Sequence, residues 1–294
     1  MSKQLQEAKQ CEEKAKECLK TSMIKLKFKP DFDGAATAME RASVCYRNAG
    51  DHQKAAESLK SAADYYEQNT NYFHAAKSRE GAAMMLRDKG DVSEAVKLFE
   101  RAIDGYAECG SLDTAAMTVE KAAEVVRNND PAKAIELYQK GLALVQQSDR
   151  SKMAGTFLNQ ITKLSLKTAD YPTAKSAIKE EIEKYLEVRE TPRVGQLSIG
   201  LILVNLAQGD SVAALKDYDW IVKSCPDVQL TEDGRACEAL ISRYENGDDE
   251  SLQNAFKSGV LRSMDNEYLR LMKNIHAPSV ETAGGDDEDE DDLR

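Results

Sequence analysis

Side chains able to do acid–base, nucleophilic or metal chemistry are few in this chain and poorly spaced for it. The three histidines, His52, His74 and His276, fall in two turns and near the C-terminus, at intervals that fit no metal-ligand pattern. The acid pairs Glu180-Glu181 and Asp248-Asp249 are consecutive. Neighbours on a helix point in different directions, so neither pair forms a shared-proton dyad. The sequence has no Gly-rich phosphate loop, HExxH or GxSxG. Its six cysteines are scattered with no CxxC, and Cys11 and Cys18, seven apart, share a helix face as small core residues. That usage suits free thiols in a reducing compartment. These residues predict a protein that is not an enzyme, with no cofactor and no metal.

Three other features have the chemistry of binding. The first is a run in which apolar residues alternate with lysines: Ile24, Leu26, Phe28 and, further on, Phe32, among Lys25, Lys27 and Lys29. Aromatic and aliphatic side chains beside lysines dip into an anionic lipid surface, and at about 1 kcal/mol per lysine the contact is weak and reversible. The competing reading packs Phe28 and Phe32 onto the first hairpin. The second feature is the acidic C-terminus. Residues 281–294 hold eight acids and one arginine, a net −7, which leaves −4 for the other 280 residues. Such runs ordinarily solubilise, but Leu293 near the tip has no structural task and suits a partner pocket flanked by basic groups. The third is a series of cations in successive helices and turns: Lys121, Arg127, Lys133, Lys140, Lys163 and Lys167. A curved stack of helices gathers some of them onto one surface for an acidic partner.

The elements that must position these residues follow a fixed period. Alanine recurs every 20 residues as Ala35, Ala55, Ala75, Ala95 and Ala115. A second alanine follows each by seven: Ala42, Ala62, Ala82, Ala102 and Ala122. A larger apolar residue follows by eleven: Tyr46, Tyr66, Leu86, Tyr106 and Val126. These offsets are close to two and three helical turns, so all three positions share one face. Turn residues punctuate the period at Gly50-Asp51, Thr70-Asn71, Gly90-Asp91, Gly110-Ser111 and Asn129-Asp130-Pro131. The pattern predicts an all-α, right-handed solenoid of antiparallel helical hairpins, tetratricopeptide-like, capped by a C-terminal helical bundle. The expected layout is a repeat region over 1–225 with an exposed loop at about 24–34, a helical cap over 226–277, and an acidic tail over 278–294. A first helix is expected over 3–26, and the apolar run Leu197–Leu206 marks a central helix of the C-terminal part.

No apolar run reaches the length of a membrane span and the N-terminus has no signal-peptide core, so a cytoplasmic protein is expected. Net charge is −11, which gives no support to nucleic-acid binding.

These features, in this order on a 20-residue helical period, resemble the soluble NSF attachment protein (SNAP) family over nearly the whole chain. The likeness is strongest to the gamma form, through Phe28-Lys29-Pro30-Asp31-Phe32-Asp33, Phe73-His74-Ala75-Ala76-Lys77, Asp113-Thr114-Ala115-Ala116-Met117, Asp130-Pro131-Ala132-Lys133-Ala134 and Met264-Asp265-Asn266-Glu267-Tyr268. The terminal Asp292-Leu293-Arg294 is instead similar to the alpha and beta forms. The resemblance implies an adaptor that binds the SNARE four-helix complex and recruits the hexameric ATPase NSF to disassemble it, in vesicle transport and membrane fusion. It implies an NSF-stimulating role for Leu293 and peripheral membrane contact for the loop of Phe28 and Phe32. The alpha form's SNARE-binding lysines do not align cleanly; Met117 stands where one is expected, so the six basic candidates rest on charge alone. The rival expectation is a tetratricopeptide-type scaffold holding an extended peptide in its concave groove.

Overall fold

A computed structural model describes residues 3–21, 28–147, 151–257 and 259–278. The chain packs as two compact units, Met1–Thr168 and Ala169–Arg294. Among the described residues every regular element is helical.

Unit 1 is a series of antiparallel helices: α1 (Lys3–Leu19), α2 (Phe32–Asn48), α3 (His52–Gln68), α4 (Tyr72–Lys89), α5 (Val92–Glu108), α6 (Leu112–Val126), α7 (Pro131–Gln147) and α8 (Ser151–Lys167). Each packs against the next. The ten periodic alanines from Ala35 to Ala122 are all fully buried, and Tyr46, Tyr66, Leu86, Tyr106 and Val126 are buried beside them. A methyl group at these positions lets backbones approach where a longer side chain would hold them apart. At Gly141 the approach is closer still, since a Cβ there would lie 2.8 Å from the Phe157 ring and 2.9 Å from Val119.

The turns obey the same period. Gly50, Gly90 and Gly110 take φ of 79°, 93° and 72°, and Thr70 takes φ 56° at the equivalent place. Asp31, Asp51, Asp91 and Asp130 then accept from the backbone N–H three residues on, capping α2, α3, α5 and α7.

The first helix is shorter than its pattern predicts. α1 ends at Leu19 because the chain returns at once: the backbone N–H of Asp31 donates to the Cys18 carbonyl at 2.9 Å. That bond ties the far end of the loop to the last turn of α1.

Unit 2 contains α9 (Tyr171–Glu187), α10 (Thr191–Ala207), α11 (Ser211–Ser224), a 3-10 turn (Pro226–Leu230) and α12 (Glu232–Glu245). Three short helices close it: α13 (Asp249–Ala255), α14 (Gly259–Arg262) and α15 (Asn266–Met272). Repeat-type turns continue here, at Ala169, Arg189 and Gly209, all with positive φ. α10 is central, as its apolar run requires: every residue from Ser198 to Leu206 is buried. It packs against α9, α11, α12 and α15. Tyr268 of α15 reaches the α10 backbone at Gly200, where a Cβ would sit 2.6 Å from its hydroxyl oxygen. Inside this packing Asn205 donates to Asp217 at 2.9 Å, and Lys179 pairs with the other carboxylate oxygen at 2.7 Å. Residues 249–275 form these three short helices, with breaks at Phe256-Lys257 and at Met264-Asp265, where Asp265 has extended ψ of 153°.

Candidate interaction surfaces

The N-terminal loop is described only at its far end. Phe28 is 68% exposed, with no core over its ring. Phe32 is partly buried in the first turn of α2, the turn that Asp31 caps through the Gly34 N–H at 2.8 Å. The two rings therefore have different surroundings. Ile24 and Leu26 lie outside the described residues, as does Leu293.

The six cations do not form one open patch. Four are engaged by acids of the same unit. Lys121 of α6 reaches Glu80 of α4 at 2.6 Å. Lys133 and Lys140 of α7 reach Glu100 and Asp104 of α5 at 2.7 and 2.5 Å. Arg127 pairs with Glu124 one turn away at 2.9 Å. The hydrogen bonds it donates to Glu100 and Glu136 hold the Lys133 ammonium above its ordinary pKa. Lys163 is half-buried on α8, whereas Lys167, in the last turn of α8, is exposed and has no acidic partner among the described residues.

The pairs of Lys121, Lys133 and Lys140 belong to a set of braces that join helices two apart, from α2–α4 to α5–α7. Lys60 of α3 donates to Glu94 of α5 at 3.0 Å, which holds the Glu94 carboxyl below its usual range. Two glutamates act as hubs, 40 residues apart. Glu40 accepts from Tyr66 at 3.3 Å and from Ser78 at 3.2 Å, joining α2, α3 and α4. Glu80 accepts from Tyr106 at 2.8 Å and from Lys121, joining α4, α5 and α6. Tyr46 donates to Glu12 of α1 at 2.8 Å, and burial with this bond pushes its pKa up to about 12. The hubs were missed from sequence, although Glu40/Tyr66 and Glu80/Tyr106 repeat the same 26-residue interval.

Sequence reasoning also missed the apolar residues that face outward. Tyr72 and Phe73 open α4 and are both exposed, and Phe73 packs edge-on to Tyr106 with ring centres 5.3 Å apart. His74, in the first turn of α4, contacts Asn71 at 2.9 Å and lies tilted against the Tyr66 ring. Met117 on α6 is 53% exposed, so an outward apolar side chain occupies the place where a lysine is expected from the alpha form. The signal for these residues was weak because a single apolar residue on a helix surface is common.

All six cysteines are unpaired. Burial, with Cys11 nearby, raises the Cys45 pKa, and burial raises that of Cys237. Among the described residues no cluster of three metal-ligating side chains occurs, and no helix is long and apolar enough to cross a membrane.

The family model described as "Soluble NSF attachment protein, SNAP" matches residues 6–259. A gamma-soluble NSF attachment protein from Dictyostelium discoideum is 24% identical over 146 residues, covering 50% of this chain and 45% of that protein. The chain thus aligns with about half the length of that relative. Among solved structures, BtubC (BKLC) from P. vanneervenii is similar at TM-score 0.40 and 15% identity, over 78% of this chain and 92% of that one. A putative kinesin light chain with TPR-like repeats from Podospora anserina is similar at TM-score 0.39 and 15% identity, over 66% and 94%.

Proposed function

The chain belongs to the soluble NSF attachment protein family, and from that premise we propose that it is a gamma-type adaptor between SNARE complexes and NSF. It acts without chemistry of its own. The observation that supports this reading most is the family match over residues 6–259, which takes in both units rather than the repeats alone.

In this reading the braced helices of unit 1 form a stiff surface for the SNARE four-helix bundle. The braces alter which cations meet it. Lys121, Lys133 and Lys140 must exchange an internal acid for an external one, which yields little net energy at half-exposed sites. Lys167 carries no such cost, and together with the outward Met117, Tyr72 and Phe73 it makes the better candidate contact. The exposed Phe28 and its lysines give weak attachment to a membrane surface, so the protein is cytoplasmic and peripheral. Leu293, carried on the acidic tail, engages the ATPase. A protein that touches membrane, SNARE bundle and ATPase together gains by avidity what each contact lacks alone.

Co-sedimentation tests the adaptor role. NSF should pellet with immobilised SNARE complex only when the chain is added. Absence of NSF recruitment at low salt would rule the reading out. Binding of an extended peptide in place of the bundle would favour the scaffold alternative.

A further inference from the structure

Unit 2 has a groove of about 740 Å³ whose wall includes Lys257, Arg262, Arg270 and Lys273 and no acidic side chain. All four cations are exposed, and none forms an ion pair among the described residues. This differs from unit 1, where Lys121, Lys133 and Lys140 are each matched by an acid. In a chain of net charge −11, four uncompensated cations around one cavity make a local anion-attracting field.

The last described residues of unit 2 are tied to the edge of this groove. Gln253, part of the groove wall, donates through Nε2 to the Ile275 carbonyl at 2.8 Å. Asp249 accepts from the Ala277 backbone N–H at 2.9 Å and contacts His276 Nδ1 at 3.2 Å. Ile275 is buried between these ties. The residues just before the tail are thus strapped down beside the four cations. Glu281, the first of the eight acids, lies three residues beyond Pro278. The 16 residues after Pro278 span up to roughly 50 Å when extended, far more than the groove requires. A tether this short raises the local concentration of the acids to the millimolar range.

We propose that the groove lined by Lys257, Arg262, Arg270 and Lys273 is the docking site for the chain's own acidic tail, residues 281–292. The docking is a property of the isolated chain and does not depend on the SNARE–NSF reading. It places the tail in competition between the groove and any basic partner, so that a partner must displace the four cations to capture it.

Carbodiimide cross-linking of the full-length monomer, mapped by mass spectrometry, tests this. The reagent joins a carboxylate to an amine as an amide, so only close pairs report. Cross-links within one chain from Lys257 and Lys273 to Asp286–Asp292 should dominate over those from Lys3 and Lys97, which are exposed controls. They should vanish near about 0.5 M salt, where screening shortens to a few ångströms. Replacing Arg262 and Arg270 by Gln, with both lysines kept, should cut their yield several-fold with an unchanged circular dichroism spectrum. Three results would overturn the proposal: cross-links spread evenly over all exposed lysines, cross-links between chains, which would assign the groove to a second copy, or yields indifferent to the arginine replacements, which would reduce the contact to tether length.

Discussion

Glu80 is where the scaffold and partner readings of the basic residues separate. Its carboxylate takes Tyr106 on one oxygen and Lys121 on the other, and its side chain is 12% exposed against 44% for Lys121. Lys121→Met keeps the aliphatic stem and removes only a half-exposed ion pair, a loss of about 0.5 kcal/mol. Glu80→Gln keeps an acceptor for Tyr106 and removes the charge, so it should cost about the same. Glu80→Ala leaves the hydroxyl of a buried tyrosine without an acceptor, and an unsatisfied buried donor costs about 1–3 kcal/mol. Adding the lost pair gives about 2 kcal/mol, or roughly 4–8 °C in Tm for a unit of this size. The assay is thermal and urea unfolding of the three variants, with SNARE binding measured on each. The expected order is Glu80→Ala far below Glu80→Gln, with Lys121→Met beside the latter. Equal loss in all three would show that charge, not the tyrosine bond, sets the stability of the hub. A Lys121→Met protein of unchanged Tm that no longer binds SNARE complex would show that this lysine is a partner contact and not a brace.

Other perturbations follow from the same structure. Phe28→Ser should lower liposome association with Tm unchanged, because the ring is exposed, while Phe32→Ser should cost about 1 kcal/mol in unfolding because its ring is partly buried. Leu293→Ala should leave SNARE binding intact and weaken NSF ATPase stimulation; full stimulation would reduce the tail to a solubiliser. Thr70→Gly should raise stability by about 0.5 kcal/mol in urea unfolding, since Thr70 sits at φ 56° where glycine is unstrained, and the same melt should show a loss of about 1 kcal/mol for Gly90→Ala. In alkali, burial keeps the hydroxyls of Tyr46, Tyr106, Tyr218 and Tyr268 protonated past the ordinary value of 10.0. Their raised folded pKa contributes stability that is complete below pH 10.0 and is lost as the pH climbs toward about 12, so unfolding by circular dichroism and tyrosinate absorbance should rise together in that window.

The fold was legible because the period is a packing constraint. Ala35 and its successors are buried where helices touch, and Gly50, Gly90 and Gly110 take the left-handed turns their spacing predicts. Thr70 fits the same place only through the period, since nothing in threonine itself favours positive φ. The end of α1 was not legible, because it is set by a long-range bond from Asp31 to Cys18 and not by a local stop signal. The exact break at Phe256-Lys257 has no glycine or proline to announce it. The candidate surfaces were read less well. Lysine counts along the repeats do not reveal which ammonium meets an acid two helices away, so the braced Lys121, Lys133 and Lys140 looked the same as the open Lys167.

A reconstituted disassembly reaction decides whether the chain is a SNARE–NSF adaptor. Preassembled SNARE complex, NSF and ATP are mixed with and without the full-length chain, and loss of the four-helix complex is followed over time. The adaptor role requires disassembly that depends on the chain, with ATP hydrolysis stimulated in parallel. A folded chain that leaves both the complex and the hydrolysis rate unchanged at low salt would contradict it.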